Sequence, residues 1–128
     1  MGSLVQMKTK ISEHELKGGF FFTSLREVSD IMCDYYCDLA EMKNQGSTTL
    51  TCDLLFIDTR VKMLLVKYFK AISKLESRNY PQSAQIIWRY DYEDEDIEEF
   101  GEILEQMTEL SFVFVQIDRS DERCLAAV

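Results

Sequence analysis

The densest chemistry in the chain is a run of acid, Asp91-Tyr92-Glu93-Asp94-Glu95-Asp96, followed at once by Glu98 and Glu99. Clustered carboxylates can hold Mg²⁺ or Ca²⁺, but this run lacks the glycine that the sixth position of an EF-hand loop requires. Acid at the start of a helix is also favoured simply because the helix dipole is positive there. A third reading is docking of a basic partner, with Asp91, Asp94 and Asp96 as its contacts.

A second candidate is Asp58-Thr59, between an apolar run and a helical pattern. Either residue can serve as the helix N-cap. The Thr59 hydroxyl is also a candidate for phosphorylation, because a phosphate there meets open backbone N–H groups and the positive end of the dipole. Arg60 stands close enough to help, and Asp58 opposes through like charge. On a helix, the residues sharing a face with Thr59 are Met63, Val66 and Lys70, at i+4, i+7 and i+11. The core stripe of the same helix points elsewhere. Met63 and Val66 are therefore expected to be exposed apolar residues flanked by Phe69, and a patch of that kind marks a partner surface.

The remaining chemistry is sparse. Cys33 and Cys37 are spaced i, i+4 on a helical pattern, but Cys52 and Cys124 form no matching pair and His14 is the sole histidine. Structural zinc wants four ligands in close local pairs, so no metal is expected. Cys33, Cys37 and Cys52 read as small buried side chains and Cys124 as an exposed one. There is no glycine-rich phosphate loop, no nucleophile elbow and no Cys/His pairing in context, so neither an enzyme nor a cofactor is implied.

The elements that must position these residues alternate along the chain. Residues 4–11 alternate apolar and polar as a half-buried strand does, Lys17-Gly18-Gly19 signals a turn, and Phe20-Phe21-Phe22 a short second strand. A helix is expected over 24–43, capped by Ser24 and Glu27, with Val28, Ile31, Met32, Tyr35, Leu39 and Met42 at helical spacing; Gln45-Gly46-Ser47 ends it. Residues 49–57 are rich in β-formers and close on a continuous apolar run, suiting an interior strand covered on both faces. The next helix, 59–77, carries the core stripe Val61, Leu64, Leu65, Tyr68, Ile72 and Leu75, and Arg78-Asn79-Tyr80-Pro81 breaks it. Residues 83–90 form a strand, 95–109 a helix with Ile97, Phe100, Ile103, Leu104 and Met107 on one face, and 111–117 the last strand. From Arg119 onward periodicity is lost, which reads as a mobile tail.

Strands alternating with helices imply an α/β fold. It is expected as one domain over 1–118, with 119–128 as the tail. The sheet is mostly parallel, four- to five-stranded, with three main helices and right-handed crossovers. Working surfaces on such folds lie at the carboxyl ends of the strands. Asp58-Thr59 and the acid run both fall at that edge.

Charge narrows the partners. The formal net charge is -9, and the Lys and Arg residues form no basic stripe. Nucleic acid and an anionic membrane surface are therefore both disfavoured. The opening residues have no charged region before a long apolar stretch, Gln6 stands where a myristoylation signal wants Ser or Thr, and no apolar run spans a bilayer. A cytoplasmic protein with reduced cysteines is expected.

The segment Trp88-Arg89-Tyr90-Asp91-Tyr92-Glu93-Asp94-Glu95-Asp96-Ile97-Glu98-Glu99-Phe100-Gly101-Glu102 resembles the SiaC-like family of bacterial regulatory phosphoproteins. That family carries an aromatic-rich strand, a Tyr-Asp step, an acidic turn and a helix with a Gly-Glu pair. Phe112 and Phe114 in the last strand are compatible with it. Leu54-Leu55-Phe56-Ile57-Asp58-Thr59-Arg60-Val61-Lys62 resembles the family's strand ending in Asn-Thr-Ser before a Lys-bearing helix. Two departures stand out. Asp58 and Arg60 replace the usual Asn and Ser, and Phe22-Thr23-Ser24-Leu25-Arg26-Glu27 stands where the family has Ser-Tyr-Pro-Glu-Asn.

The resemblance implies a STAS-like fold and a switch on Thr59. A partner kinase phosphorylates it, a PP2C-type phosphatase restores it, and the unphosphorylated form binds and activates a diguanylate cyclase, which ties the protein to cyclic-di-GMP signalling and biofilm control. Two alternatives are weighed beside it. One is a STAS-type anti-sigma factor antagonist, which partner identity separates. The other is a phospho-aspartate receiver with Asp58 as acceptor. A receiver wants an adjacent acidic pair after strand one, whereas Glu13 and Glu15 are split by His14, and a late Lys where Gln116-Ile117-Asp118 stands.

Overall fold

The computed structural model describes residues 10–42, 46–77 and 84–119. Strand β1 (Lys10–Phe20) leads through a 3₁₀ turn (Phe22–Ser24) into helix α1 (Leu25–Met42). There follow β2 (Gly46–Ile57), α2 (Thr59–Ser77), β3 (Ala84–Asp91), α3 (Glu95–Thr108) and β4 (Ser111–Ile117). The strands form one sheet in the order β1-β2-β3-β4, and every neighbouring pair is parallel. A parallel sheet wound in sequence order through right-handed crossovers puts every helix on the same face.

Burial follows that rule. On β2, Thr48, Leu50, Cys52 and Leu54 are buried, while Thr49 and Thr51 between them are only half covered; on β3, Ala84, Ile86 and Trp88 are buried and Gln85 is exposed. The core fills the space between that face and the helices. Val28, Met32, Tyr35 and Leu39 enter it from α1, Val61, Leu65, Phe69 and Ile72 from α2, and Ile97, Phe100 and Leu104 from α3. Trp88 lies at its centre, fully buried, its Nε1 donating to the Ile97 carbonyl at 2.9 Å. On the β1 side, the Tyr35 hydroxyl lies within reach of the Thr48 and Gln85 carbonyls at 3.2 and 3.3 Å, and His14 Nε2 meets Asp38 Oδ2 at 2.6 Å.

Three expectations are corrected. Residues 10–20 make one strand rather than a strand, a turn and a second strand, and the part of the expected strand before Lys10 lies outside the described residues. The Gly18-Gly19 step appears as an irregularity instead: Gly18 has φ 123°, and the register slips so that Gly18 pairs with Leu54 and Gly19 with Phe56. That slip explains the second correction. Leu55 becomes the extra residue of a bulge, and a bulge breaks the in–out alternation locally. Leu55 and Phe56 are both about half exposed (54% and 50%), so β2 is not covered on both faces. Third, β2 begins at Gly46, a residue whose type and neighbours suggest the end of the preceding helix. Among the expected helix punctuation, Arg78 to Pro81 lies outside the described residues.

Candidate functional site

All strands run the same way, so the turns after β2 and β3 lie at the same edge of the sheet, one strand apart. After Ile57 the chain turns at Asp58, whose N–H donates to the Phe20 carbonyl at 3.3 Å. Its carboxylate accepts the Val61 N–H at 2.9 Å and its carbonyl accepts the Lys62 N–H at 3.0 Å. Asp58 is therefore the N-cap, and Thr59 is the first helical residue with an exposed side chain. The hydroxyl is released from capping by its neighbour and stands at the positive end of a 19-residue helix.

Along the Thr59 face, Met63 is 67% exposed and Lys70 is exposed. Val66 is half buried and packs against the core. Phe69 departs from the expectation: it is fully buried, with its ring 5.8 Å from Phe112 on β4. The reason is angular. Val61, Leu65, Phe69, Ile72 and Glu76 form the deepest stripe of α2, whereas Leu64, Tyr68 and Leu75 lie at its flank. The flank turns toward α1, where the Tyr68 and Ser29 hydroxyls are 2.6 Å apart. Phe69 supports the surface from below and is not part of it.

The opposite flank of α2 faces α3. Lys62 Nζ sits 5.8 Å from the centroid of Phe100, and Ser73 Oγ donates to the Thr108 carbonyl at 2.7 Å. These two ties hold the helices side by side. Ile103 and Met107 of α3 lie between them in sequence, each 43% exposed. Their spacing with Ile97 and Leu104 suggests core, yet they sit at the rim of the buried arc, where i+3 and i+4 spacing alone cannot separate rim from centre. Phe21 and Phe56, with rings 4.9 Å apart and each half exposed, add apolar surface at the carboxyl ends of β1 and β2.

Two residues of the acid run hold backbone in place, and the others lie at or near the surface. Asp91 accepts the Glu93 N–H at 3.0 Å and the Arg119 N–H at 3.2 Å. Asp94 is the N-cap of α3, accepting the Ile97 N–H at 3.1 Å. Asp96 stays exposed in the first helical turn with Glu95, and Arg60 is exposed at the start of α2. Among the described residues no three His, Cys, Asp or Glu side chains converge as metal ligands. The Tyr92 hydroxyl donates to Glu93 Oε1 at 3.0 Å, and that bond raises its pKa.

One ionic network has no signal in the sequence. Asp53, on the sheet face away from the helices, is only 2% exposed. Its two oxygens accept Arg89 Nη1 at 2.9 Å and Arg119 Nη2 at 2.5 Å. Arg119, placed in the tail by its sequence context, is thus fastened to β2 by its side chain and to Asp91 by its N–H; residues 120–128 lie outside the described residues. The thiols also differ from expectation. Cys33 and Cys37 are exposed, with Cys33 hydrogen bonding to Cys37 and raising its pKa, and of the described cysteines only Cys52 is buried. Cys124 lies outside the described residues. No helix among them is long and apolar enough to cross a membrane.

Among curated proteins, no sequence matches this chain. Among solved structures, it resembles a chain in the crystal structure of the diguanylate cyclase SiaD in complex with its activator SiaC from Pseudomonas aeruginosa. The TM-score is 0.68, with 15% identity over 82% of this chain and 84% of that one. A likeness at that identity speaks to the fold. The family itself is given by sequence: residues 4–117 match the SiaC family regulatory phosphoprotein model, and the chain belongs to that family.

Proposed function

We propose that this protein is a non-enzymatic partner switch of the cytoplasm, built on residues 1–118 and set by phosphorylation of Thr59. A protein kinase adds the phosphate and a PP2C-type phosphatase removes it. The unphosphorylated form binds and activates an effector, a diguanylate cyclase. Support for that effector comes from the structurally similar complex, in which SiaC is the activator of the diguanylate cyclase SiaD. The observation that carries this reading is the placement of Thr59, exposed at the first position of α2 with Asp58 doing the capping, one turn before the exposed Met63.

The mechanism follows from charge. Phosphorylation adds about -1.5 to -2 charge, which a helix N-terminus tolerates, so the fold persists. A doubly charged group beside Met63 must however lose water when a partner covers that face, and the loss opposes binding. Asp58, Arg60, Met63, Val66 and Lys70 form this face, with Asp91, Asp94 and Asp96 at the neighbouring turn. The test joins phosphosite mapping in cells to affinity for the effector. Thr59→Ala should bind constitutively and Thr59→Glu poorly. A phosphate mapped to another residue, or two variants that bind like the parent, would sink this reading.

A further inference from the structure

The outer faces of α2 and α3 carry opposite charge. Helix α2 holds Arg60, Lys62, Lys67, Lys70 and Lys74 against one buried acid, Glu76, and so carries a basic stripe that the acidity of the chain as a whole conceals and that the sequence reading did not expect. Helix α3 holds six carboxylates and no cation. Lys67 and Lys70 point outward on one helix and Glu99 and Glu102 on the other, all at least partly exposed. Along the seam between them runs apolar surface, Met63 and Val66 on one side and Ile103 and Met107 on the other. The Lys62–Phe100 and Ser73–Thr108 contacts fix the two helices as parallel neighbours, with their N-termini at the same end.

A surface with a basic half, an acidic half and an apolar seam is complementary to itself under one operation. We propose that two copies of this chain pair through this face, about a two-fold axis that runs along the seam, parallel to the helices. That rotation lays α2 of each copy over α3 of the other. Lys67 of one copy comes within one helical turn of the level of Glu102 of the second, and the reverse pair forms by symmetry. A two-fold axis across the helices would instead stack α2 on α2 and α3 on α3, bringing like charges together, so charge selects the first arrangement. A basic or acidic partner of single sign would satisfy only half of the face, which is why the occupant is a second copy.

The size of the face sets the strength. Helix α3 has 14 residues, so at 1.5 Å per residue and two helices of about 10 Å width the patch measures roughly 20 Å by 20 Å. Two such patches fall at the low end of specific interfaces, below about 1,200 Å², so the dimer is weak and reversible. It covers Met63 and therefore competes with whatever else binds there. A phosphate on Thr59 opposes this dimer as it opposes any partner that covers Met63, but the test uses unphosphorylated protein and neither kinase nor effector, so the two readings fail separately.

The experiment is sedimentation of the full chain from about 1 to 200 µM, the range in which weak interfaces associate. The parent should shift from monomer to dimer. Lys67→Glu and Glu102→Lys should each weaken the dimer about tenfold or more by turning two attractive contacts repulsive. An equimolar mixture of the two variants should associate again, because each copy then offers the charge that the other lacks, and labelled heterodimers should outnumber homodimers. A parent that stays monomeric throughout overturns the proposal and leaves the face to a different partner. A dimer indifferent to both variants, or variants that weaken it without rescuing one another, overturns it equally.

Discussion

Gly101 offers the sharpest test of the packing. It lies in the middle of α3 and is buried against the Trp88 indole. A Cβ there would stand 2.6 Å from Cδ1 and 2.7 Å from Cε2 of that ring, and closer still to Nε1. The ring has nowhere to go: it is fully buried, its Nε1 is held by the Ile97 carbonyl, and Phe100 and Phe112 flank it at 6.0 and 6.2 Å. Gly101→Ala therefore sets two effects against each other. Alanine favours a helix interior over glycine by about 1 kcal/mol. Against that, overpacking costs about 1–3 kcal/mol, and displacing the indole from the Ile97 carbonyl costs roughly another 1 kcal/mol. Packing should win by about 2 kcal/mol, lowering Tm by roughly 8 °C for a chain of this length. Urea unfolding followed by fluorescence of Trp88, the sole tryptophan, reads the loss directly. Followed by circular dichroism, since Trp88→Leu removes the fluorescent probe, the double variant Trp88→Leu with Gly101→Ala should be less damaged than the two single losses added together. A variant stabilised by about 1 kcal/mol, as helix propensity alone dictates, would refute the reasoning.

Asp53→Asn should destabilise by about 2–3 kcal/mol, somewhat less than for a fully buried pair because the Arg89 side chain is 31% exposed; a loss under about 0.5 kcal/mol in urea would show that the network contributes little. Burial raises the pKa of the Cys52 thiol and of the Tyr35 phenol, with Glu76 and Cys52 adding to the latter. Both groups are held protonated in the fold, so the stability they contribute is complete at neutral pH. It is lost as pH rises past about 9 to 10, where the unfolded groups begin to ionise. Tyr35→Phe should flatten the decline above about pH 10, and an unchanged slope in denaturation at graded pH counts against the assignment.

The periodicities were legible in the residues alone, whereas glycine punctuation misled, since Gly18-Gly19 sits inside β1 and Gly46 opens β2. Runs of β-formers separated by helical stripes determined an α/β chain with three helices, since side-chain periods of 2 and 3.6 are local properties of the backbone. The acid run and Asp58-Thr59 marked the edge at which the strands end, and the helix dipole that rewards acid at an N-terminus is equally local. Tertiary structure decided how far each stripe turns. Phe69 and Ile103 fit both core and surface on a helical wheel, and only contact with β4 and the position of α3 beside α2 separates them. It also decided which of Asp58 and Thr59 caps α2, because the turn out of β2 aims one carboxylate at the Val61 N–H. The exposure of Leu55 and Phe56 came from a register slip against Gly18-Gly19, a relation between two strands that neither strand's sequence contains. The Asp53 network joins β2 to β3 and to a residue 66 positions away, and no local pattern encodes a pairing at that distance. What the chain states locally is the direction each side chain takes from its own backbone; what it meets there depends on segments brought together by folding.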